Sequence, residues 1–171
     1  MNVNPYRRGG LIMLTLAWVM LFALAYWYFS GRIEQAENPN DAAKLARQQG
    51  EVRLQRNAEG HYVADGEING QAVVFLLDTG ASRVALSAGL AEQLGLAHGA
   101  AVSVQTANGA TKAYQTRLDS VRLGTIEVRD VSALITDGLN SRTVLLGMSF
   151  LKQLEFTQRG NQLTLKPLAH P

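Results

Sequence analysis

The sequence contains no cysteine, only four prolines and few aromatic residues, which make up 7% of its 171 residues. The absence of cysteine excludes a disulfide framework, a zinc ribbon and a thiol nucleophile. Net charge is also absent from the larger part of the chain, because residues 50–171 carry eleven basic and eleven acidic side chains. There is no basic stripe with interleaved aromatic residues, so we expect no nucleic acid among the partners.

Signals for metals and nucleotides are missing as well. The three histidines, His61, His98 and His170, stand singly and show no spacing typical of metal ligands. Neither a G-x-x-x-x-G-K phosphate loop nor a G-x-G-x-x-G fingerprint is present. We therefore expect no metal and no cofactor. The length allows one ordinary domain with an appendage.

A long apolar run, residues 11–29, is the most prominent feature of the N-terminal part and contains no charge, proline or glycine. Its 19 residues would form a helix of about 28 Å, close to the thickness of a bilayer's hydrocarbon core. Arg7 and Arg8 precede the run, and Tyr26, Trp27 and Tyr28 lie at its far end. These flanks predict a single-pass signal anchor in the inner membrane, with residues 1–10 in the cytoplasm and the rest of the chain periplasmic.

Two other interpretations of this run are weaker. Ala23-Leu24-Ala25 has the A-x-A pattern of a signal-peptide cleavage site, but it lies inside the apolar run and bulky aromatic residues follow it. A buried core helix would normally show a polar face, which this run lacks.

Polar residues dominate from 30 to 51, which we interpret as a stalk or linker. Beyond it, residues 52–168 contain short β-like runs separated by glycine and Asn-Gly turns. Ser87 is expected to cap a short helix that Gly95 ends, and residues 148–154 suggest one or two further helical turns. The predicted fold class is a small, closed or orthogonally packed all-β domain of seven to nine strands. The main predicted strands span residues 61–68, 72–77, 102–104, 111–118, 121–123, 126–135 and 143–146, with a closing hairpin around Gly160-Asn161.

The stretch that carries chemistry is Asp78-Thr79-Gly80-Ala81-Ser82, directly after the apolar strand 73–77. A buried strand that delivers a carboxylate into a turn of small residues presents an acid with backbone N–H groups around it. Gly80 and Ala81 also leave room for a substrate to approach. The alternative is structural: Asp78 would cap its own turn, with Thr79-Gly80 as the loop.

This stretch and three others, in this order, resemble the retropepsin-like aspartic proteases, and more closely their bacterial membrane-anchored members. The resemblance covers residues 52–168 and implies an acid-protease β-barrel with one Asp-Thr-Gly, where the pepsin branch has two. The segments that carry it are Asp78-Thr79-Gly80-Ala81-Ser82, Leu94-Gly95-Leu96, Thr106-Ala107-Asn108-Gly109 and the run LLGMSFL at 145–151.

The resemblance also implies a role for each site residue. Asp78 would be the catalytic carboxylate, Thr79 would brace a dimer through its hydroxyl, and Gly80 would supply backbone contacts beside the acid. Ser82 would bond the outer oxygen of that carboxylate, with Ala81 as further support. Two other groups have supporting roles: Asn108-Gly109 as the tip of a flap, which by local sequence alone is just a hairpin turn, and Leu145-Leu146-Gly147 as a strand beneath the site.

Two functional hypotheses follow. The first is a membrane-anchored aspartic endopeptidase that acts on protein or peptide substrates. Its chemistry needs two carboxylates that share one proton. A single Asp-Thr-Gly supplies half of such a site, so the working unit would be a C₂ homodimer. The second hypothesis is a non-catalytic periplasmic binding or dimerisation module on the same fold.

Overall fold

The computed structural model describes residues 5–106, 109–137, 139 and 143–168. Within these residues the chain divides into an N-terminal unit that ends at Ala36 and a β-rich unit that begins at Glu37.

The N-terminal unit is a single long helix, α1, which spans Pro5–Glu37. Its apolar side chains are exposed to the surroundings, among them Trp18, Phe22 and Trp27. The segment Gly10–Glu37 is long and apolar enough to cross a membrane, judged by length and composition. The helix is thus longer than the predicted apolar run and continues through polar residues past position 29.

The β-rich unit contains ten strands and three short helices within the described residues. The strands are β1 (Val52–Gln55), β2 (Val63–Ile68), β3 (Gln71–Leu77), β4 (Val84–Ser87), β5 (Ala101–Thr106), β6 (Gly109–Leu123), β7 (Ile126–Thr136), β8 (Thr143–Leu146), β9 (Leu154–Arg159) and β10 (Gln162–Pro167). The helices are α2 (Ala42–Ala46), α3 (Ala88–Gln93) and α4 (Met148–Leu151).

The larger sheet closes on itself. Its strands follow the order β2-β3-β8-β4-β7-β6-β5, and β2 also pairs with β6. The closing contact joins Glu67 to Arg122 and Ile68 to Val121. Closure leaves β5 outside the ring, as one arm of a hairpin with β6. The predicted small, closed, mostly β barrel is therefore confirmed, with ten described strands where seven to nine were expected.

The smaller sheet has the order β1-β10-β9. One face of it is apolar and belongs to the core, because Val52, Leu54, Leu163 and Leu165 are all buried. The opposite face is polar. The core continues through the barrel, and its largest fully buried side chains include Phe75, Ile68, Leu86, Leu118, Ile135, Leu146 and Phe150.

Residues that the sequence analysis assigned to the spacer pack against the β-rich unit. Asn40 is only 3% exposed and Leu45 only 1%. The Asn40 side-chain amide donates to the carbonyl oxygens of Gln55 (2.8 Å) and Val63 (2.7 Å), and its oxygen accepts from the Gln55 N–H at 2.6 Å. The Asn40 side chain thus bonds backbone groups of β1 and β2 that a neighbouring strand would otherwise bond. Because Asn40 and Leu45 pack in this way, the polar spacer is shorter than the predicted residues 30–51.

Candidate active site

Asp78 lies where β3 ends, next to β8. β3 runs parallel to β8, with Leu76 beside Leu145 and Leu77 beside Leu146. The Asp78 N–H continues this pairing by donating to the Leu146 carbonyl oxygen at 3.3 Å. β3 is only partly buried, through Val73 and Phe75, and at its end the Asp78 side chain is half-buried.

The turn that follows is held by backbone groups. The Gly80 N–H donates to Asp78 Oδ1 at 2.8 Å, and the Ala81 N–H donates to the Asp78 carbonyl oxygen at 3.3 Å. Within the described residues, Asp78 forms no ion pair and its second carboxylate oxygen accepts no hydrogen bond. One oxygen is therefore oriented by the turn and the other is left open.

The other four predicted site residues lie on the same turn, and three of them are open to solvent, Gly80 among them. Thr79 and Ser82 are exposed, while Ala81 is half-buried. The bond from Ser82 to the carboxylate, which the resemblance implies, is not formed within the described part of the single chain.

Gly147 brings β8 and α4 against this turn. A Cβ added at Gly147 would lie 2.6 Å from the Ala81 carbonyl oxygen and 2.3 Å from that of Arg83, so only glycine fits. The Ala81 carbonyl accepts from the Met148 N–H at 2.8 Å at the start of α4. Leu145-Leu146-Gly147 therefore lies directly beside the loop that carries Asp78.

Ser149 completes this support, and the sequence analysis assigned it no role. Its buried hydroxyl accepts a hydrogen bond from the Val84 N–H at 2.9 Å, which ties α4 to the first residue of β4. The only sequence signal for this contact is the position of Ser149 within the LLGMSFL run. The turn is therefore held at both ends, by Met148 at Ala81 and by Ser149 at Val84.

The predicted flap corresponds to the β5–β6 hairpin, where Thr106 pairs with Gly109. Gly109 begins β6 with a φ of 105°. Asn108, the other predicted tip residue, lies outside the described residues.

Comparison with known proteins identifies the family. The family model described as "gag-polyprotein putative aspartyl protease" matches residues 64–153, more than half of the chain, and includes the turn at Asp78. The chain belongs to the retropepsin-like aspartic protease family.

Two relatives and one solved structure support this assignment. The "Uncharacterized protein in cobV 5'region" of Sinorhizobium sp is 33% identical over 160 residues, which cover 86% of this chain and 69% of the relative. An uncharacterized protein of Rickettsia prowazekii (strain Madrid E) is 32% identical over 147 residues, covering 84% of this chain and 61% of that relative's length. The crystal structure of a retropepsin-like aspartic protease from Rickettsia conorii is similar, with a TM-score of 0.59 and 32% identity. That similarity covers 69% of this chain and 91% of the Rickettsia conorii chain.

Within the described residues, no group of three or more histidine, aspartate or glutamate side chains is arranged to hold a metal ion. The candidate site of this retropepsin-like protein consists of the Asp78 carboxylate, the turn of small residues that follows it, and the β8 and α4 segments that pack against that turn.

Proposed function

We propose that this chain is an aspartic endopeptidase anchored in the inner membrane by α1, and that its active site forms between two copies. The observation that carries the proposal is the Asp78 carboxylate, which is oriented by the Gly80 N–H at 2.8 Å and left open at its second oxygen. Each chain brings one such carboxylate, and the chemistry needs two.

The mechanism follows from the proximity of the two acids. Two carboxylates about 3 Å apart cannot both be ionised, so the pair holds one proton. The ionised Asp78 takes a proton from a water molecule as the water oxygen bonds to the peptide carbonyl carbon. The protonated Asp78 of the other copy gives its proton to the carbonyl oxygen. The first Asp78 then gives the proton taken from water to the leaving nitrogen, and the C–N bond breaks. The other Asp78 takes a proton back from a hydroxyl of the tetrahedral intermediate, so the pair again holds one proton and no covalent bond to the enzyme forms.

The other site residues would assist in this arrangement. Thr79 is exposed beside Asp78, where its hydroxyl can contact the second copy. Ser82 is also exposed, so its hydroxyl can approach the two Asp78 carboxylates once the dimer has formed. The β5–β6 hairpin would lie over the bound peptide, with Asn108-Gly109 at its tip.

The membrane location rests on α1 and its flanks. Arg7 and Arg8 before the apolar run favour a cytoplasmic N-terminus, and the β-rich unit would then lie in the periplasm.

Replacement of one acid tests the proposal. Full-length wild type and Asp78→Asn would be reconstituted in liposomes and incubated with a proteome-derived peptide library, and cleavages would be read by mass spectrometry. Because Asn keeps the shape of the side chain but cannot share a proton, we expect cleavage to disappear while the melting temperature is kept. Asp119→Asn removes an exposed carboxylate in β6 and should leave cleavage unchanged.

The alternative is the non-catalytic module, and the Gly80–Asp78 bond is also what a turn-capping aspartate makes. A statine-type peptide that targets the active site should raise the melting temperature of the wild type if the endopeptidase proposal holds. Absence of both cleavage and inhibitor binding in a folded, dimeric wild type would support the module instead.

A further inference from the structure

The turn that begins with Asp78 ends at an arginine, Arg83, directly before β4. Most arginines of the β-rich unit form an ion pair or lie over an aromatic ring, namely Arg53, Arg56, Arg117, Arg122 and Arg129. Within the described residues, the side chains of Arg47, Arg83 and Arg159 have no such partner, and of these three only Arg83 is half-buried. Withdrawal from water makes an unpaired charge costly, so the Arg83 guanidinium should gain from binding an anion.

Both ends of this turn contact the same end of β8. The Asp78 N–H donates to the Leu146 carbonyl oxygen at 3.3 Å, and the Arg83 carbonyl oxygen lies 2.3 Å from the position of a Cβ added at Gly147. Leu146 and Gly147 are consecutive residues, with Cα atoms about 3.8 Å apart. Together with a strand spacing of about 4.8 Å, these contacts hold the Arg83 Cα within roughly 15 Å of the Asp78 Cα. The turn therefore leads away from the acid and returns close to it.

Asp78 and Arg83 also lie on one face of the larger sheet. Leu145 of β8 is half-buried and pairs with two half-buried neighbours, Leu76 of β3 and Ala85 of β4. Paired residues share a face of a sheet, and every second residue of a strand returns to that face. Asp78 therefore lies on the face of Leu76, and Arg83 lies on the face of Ala85. The acid and the guanidinium thus flank an apolar strip on the face turned away from the core.

The other acidic side chains on this face of β2 already have partners. Asp65 accepts hydrogen bonds from residues 38 and 42, at 2.6 and 3.1 Å. Glu67 forms an ion pair with an arginine of β6 at 3.3 Å. Asp78 forms no ion pair with Arg83 within the described part of the single chain. An anion that binds Arg83 should therefore come from another molecule.

We propose that Arg83 is a specificity residue that binds a carboxylate side chain of the substrate, so that the enzyme cleaves preferentially near aspartate or glutamate. The inference rests on the proposed function, because the carboxylate belongs to the peptide that Asp78 cleaves. The planar guanidinium can bind both oxygens of a carboxylate in parallel. An extended peptide rises about 3.4 Å per residue, so the acidic residue lies within about four positions of the cleaved bond. Each copy brings one Arg83, so the preference applies on both sides of that bond.

Cleavage-site profiling of a charge-reversed variant tests the proposal. Full-length wild type and Arg83→Glu, both in liposomes, would be incubated with a proteome-derived peptide library, and the cleaved sites would be read by mass spectrometry. We expect aspartate and glutamate to be enriched near the bonds that the wild type cleaves, and lysine and arginine near those that Arg83→Glu cleaves. A wild-type profile without acidic enrichment, or one that Arg83→Glu leaves unchanged, would overturn the proposal.

Arg47→Glu is the matched control for this variant. It makes the same change of charge at an exposed arginine that also has no partner within the described residues. The control should keep the wild-type profile, because only a charge beside the site can contact the substrate. A profile that shifts equally in Arg47→Glu would show an effect of net charge and overturn the assignment to Arg83.

A pair of peptides measures the size of the effect. The first is the library peptide that the wild type cleaves fastest, and the second carries the amide in place of its acidic side chain. For the wild type, kcat/KM should be about tenfold higher for the acidic peptide, as expected for a hydrogen bond between charged groups. For Arg83→Gln the two values should be about equal. If Arg83 acts on Asp78 or on the second copy instead, Arg83→Gln lowers both values by the same factor, which would overturn the proposal.

Inhibitor binding separates this inference from the proposed function. Statine-type peptides with either glutamate or glutamine at one of the four positions on each side of the statine would be compared by the rise in melting temperature that they cause. A larger rise with glutamate that disappears in Arg83→Gln, in a protein that cleaves nothing, would reject the endopeptidase and leave the carboxylate site intact. Cleavage without a preference that depends on Arg83 would reject the carboxylate site and leave the endopeptidase intact. A folded protein that neither cleaves nor binds these peptides would reject both.

Discussion

The Arg83 carbonyl oxygen lies so close to Gly147 that a Cβ at Gly147 would be 2.3 Å away from it. Gly147→Ala must therefore displace the loop after Asp78 or the start of α4. We expect a loss of about 1–3 kcal/mol in the free energy of unfolding, typical of overpacking, measured by urea denaturation, and reduced peptidase activity.

Gly89→Ala is the matched control for this change. Gly89 lies in α3, is exposed, and has no heavy atom within 4 Å of an added Cβ. The substitution should be neutral or stabilise by about 0.4–1 kcal/mol. Equal effects at the two glycines would show that close packing at Gly147 is unimportant.

Residues 38–48 should contribute to the stability of the β-rich unit. A fragment of residues 37–171 keeps Asn40, Leu45 and Gln48, whose side chain bonds the Arg53 backbone N–H and carbonyl oxygen. A fragment of residues 50–171 loses all three. Burial of one leucine alone contributes about 1.5–3 kcal/mol, so the shorter fragment should unfold at clearly lower urea concentration.

Single substitutions in the longer fragment separate these contributions. Asn40→Ala removes the part-buried hydrogen bonds to the backbone of Gln55 and Val63, which should cost about 1–3 kcal/mol. Gln49→Ala, at an exposed position of the same segment, should change stability by less than about 0.5 kcal/mol. If Asn40→Ala behaves like Gln49→Ala, the segment does not support the fold.

Stability should fall in acid through surface carboxylates. A hydrogen bond from Arg117 lowers the pKa of Asp130, one from Arg122 lowers the pKa of Glu127, and one from Lys166 lowers the pKa of Glu51. The pKa of each of these carboxyl groups is lower in the folded than in the unfolded chain. The stabilisation is therefore fully present at pH values above the unfolded-state pKa, and it is lost as the pH falls through the folded-state pKa.

The melting temperature should therefore be constant from neutral pH to about pH 5 and drop below about pH 4. Because these groups are at the surface, 1 M salt should shrink the drop. Arg117→Gln should lose part of the acid dependence, since Asp130 then keeps a more ordinary pKa. If neither 1 M salt nor Arg117→Gln alters the dependence of the melting temperature on pH, these surface carboxylates do not cause the loss of stability in acid.

The orientation across the membrane is measurable with a fusion. Alkaline phosphatase joined after residue 171 should be active, because Arg7 and Arg8 favour a cytoplasmic N-terminus. A reporter that works only in the cytoplasm should be inactive at the same position. The reverse pattern would place the β-rich unit in the cytoplasm.

Features with a local cause were predicted well from the sequence. Asn69-Gly70 forms the expected tight turn between β2 and β3, with positive φ at both residues. Ser87 caps α3 by accepting from the Leu90 N–H, and Gly95 follows the end of that helix with a φ of 67°. In each case the residue type itself restricts the backbone.

Features that depend on distant partners were not predicted. Asn40 gains its role from Gln55 and Val63, which lie 15 and 23 positions further along the chain. β4 is stabilised by parallel pairing with β7, and its Val-Ala-Leu-Ser sequence resembles the approach to a helix. The predicted break near residue 119 lies inside β6, because β6 pairs with β7 in one register on both sides of it, and the Asn69 side chain also accepts from the Ser120 N–H at 3.0 Å. No short window of sequence contains both members of such pairs.

The side-chain amides of Asn40 and Gln48 bond the outward-facing backbone groups of Gln55 and Arg53 in β1, at one edge of the β1-β10-β9 sheet. They therefore limit the size of any assembly built through this sheet. A sheet with two open edges can add copies at both ends without limit and grow into a fibre. A sheet with one closed edge has room for a single added copy, after which no free edge remains. The same few hydrogen bonds that hold residues 38–48 in place would thus prevent polymerisation through the β1 edge.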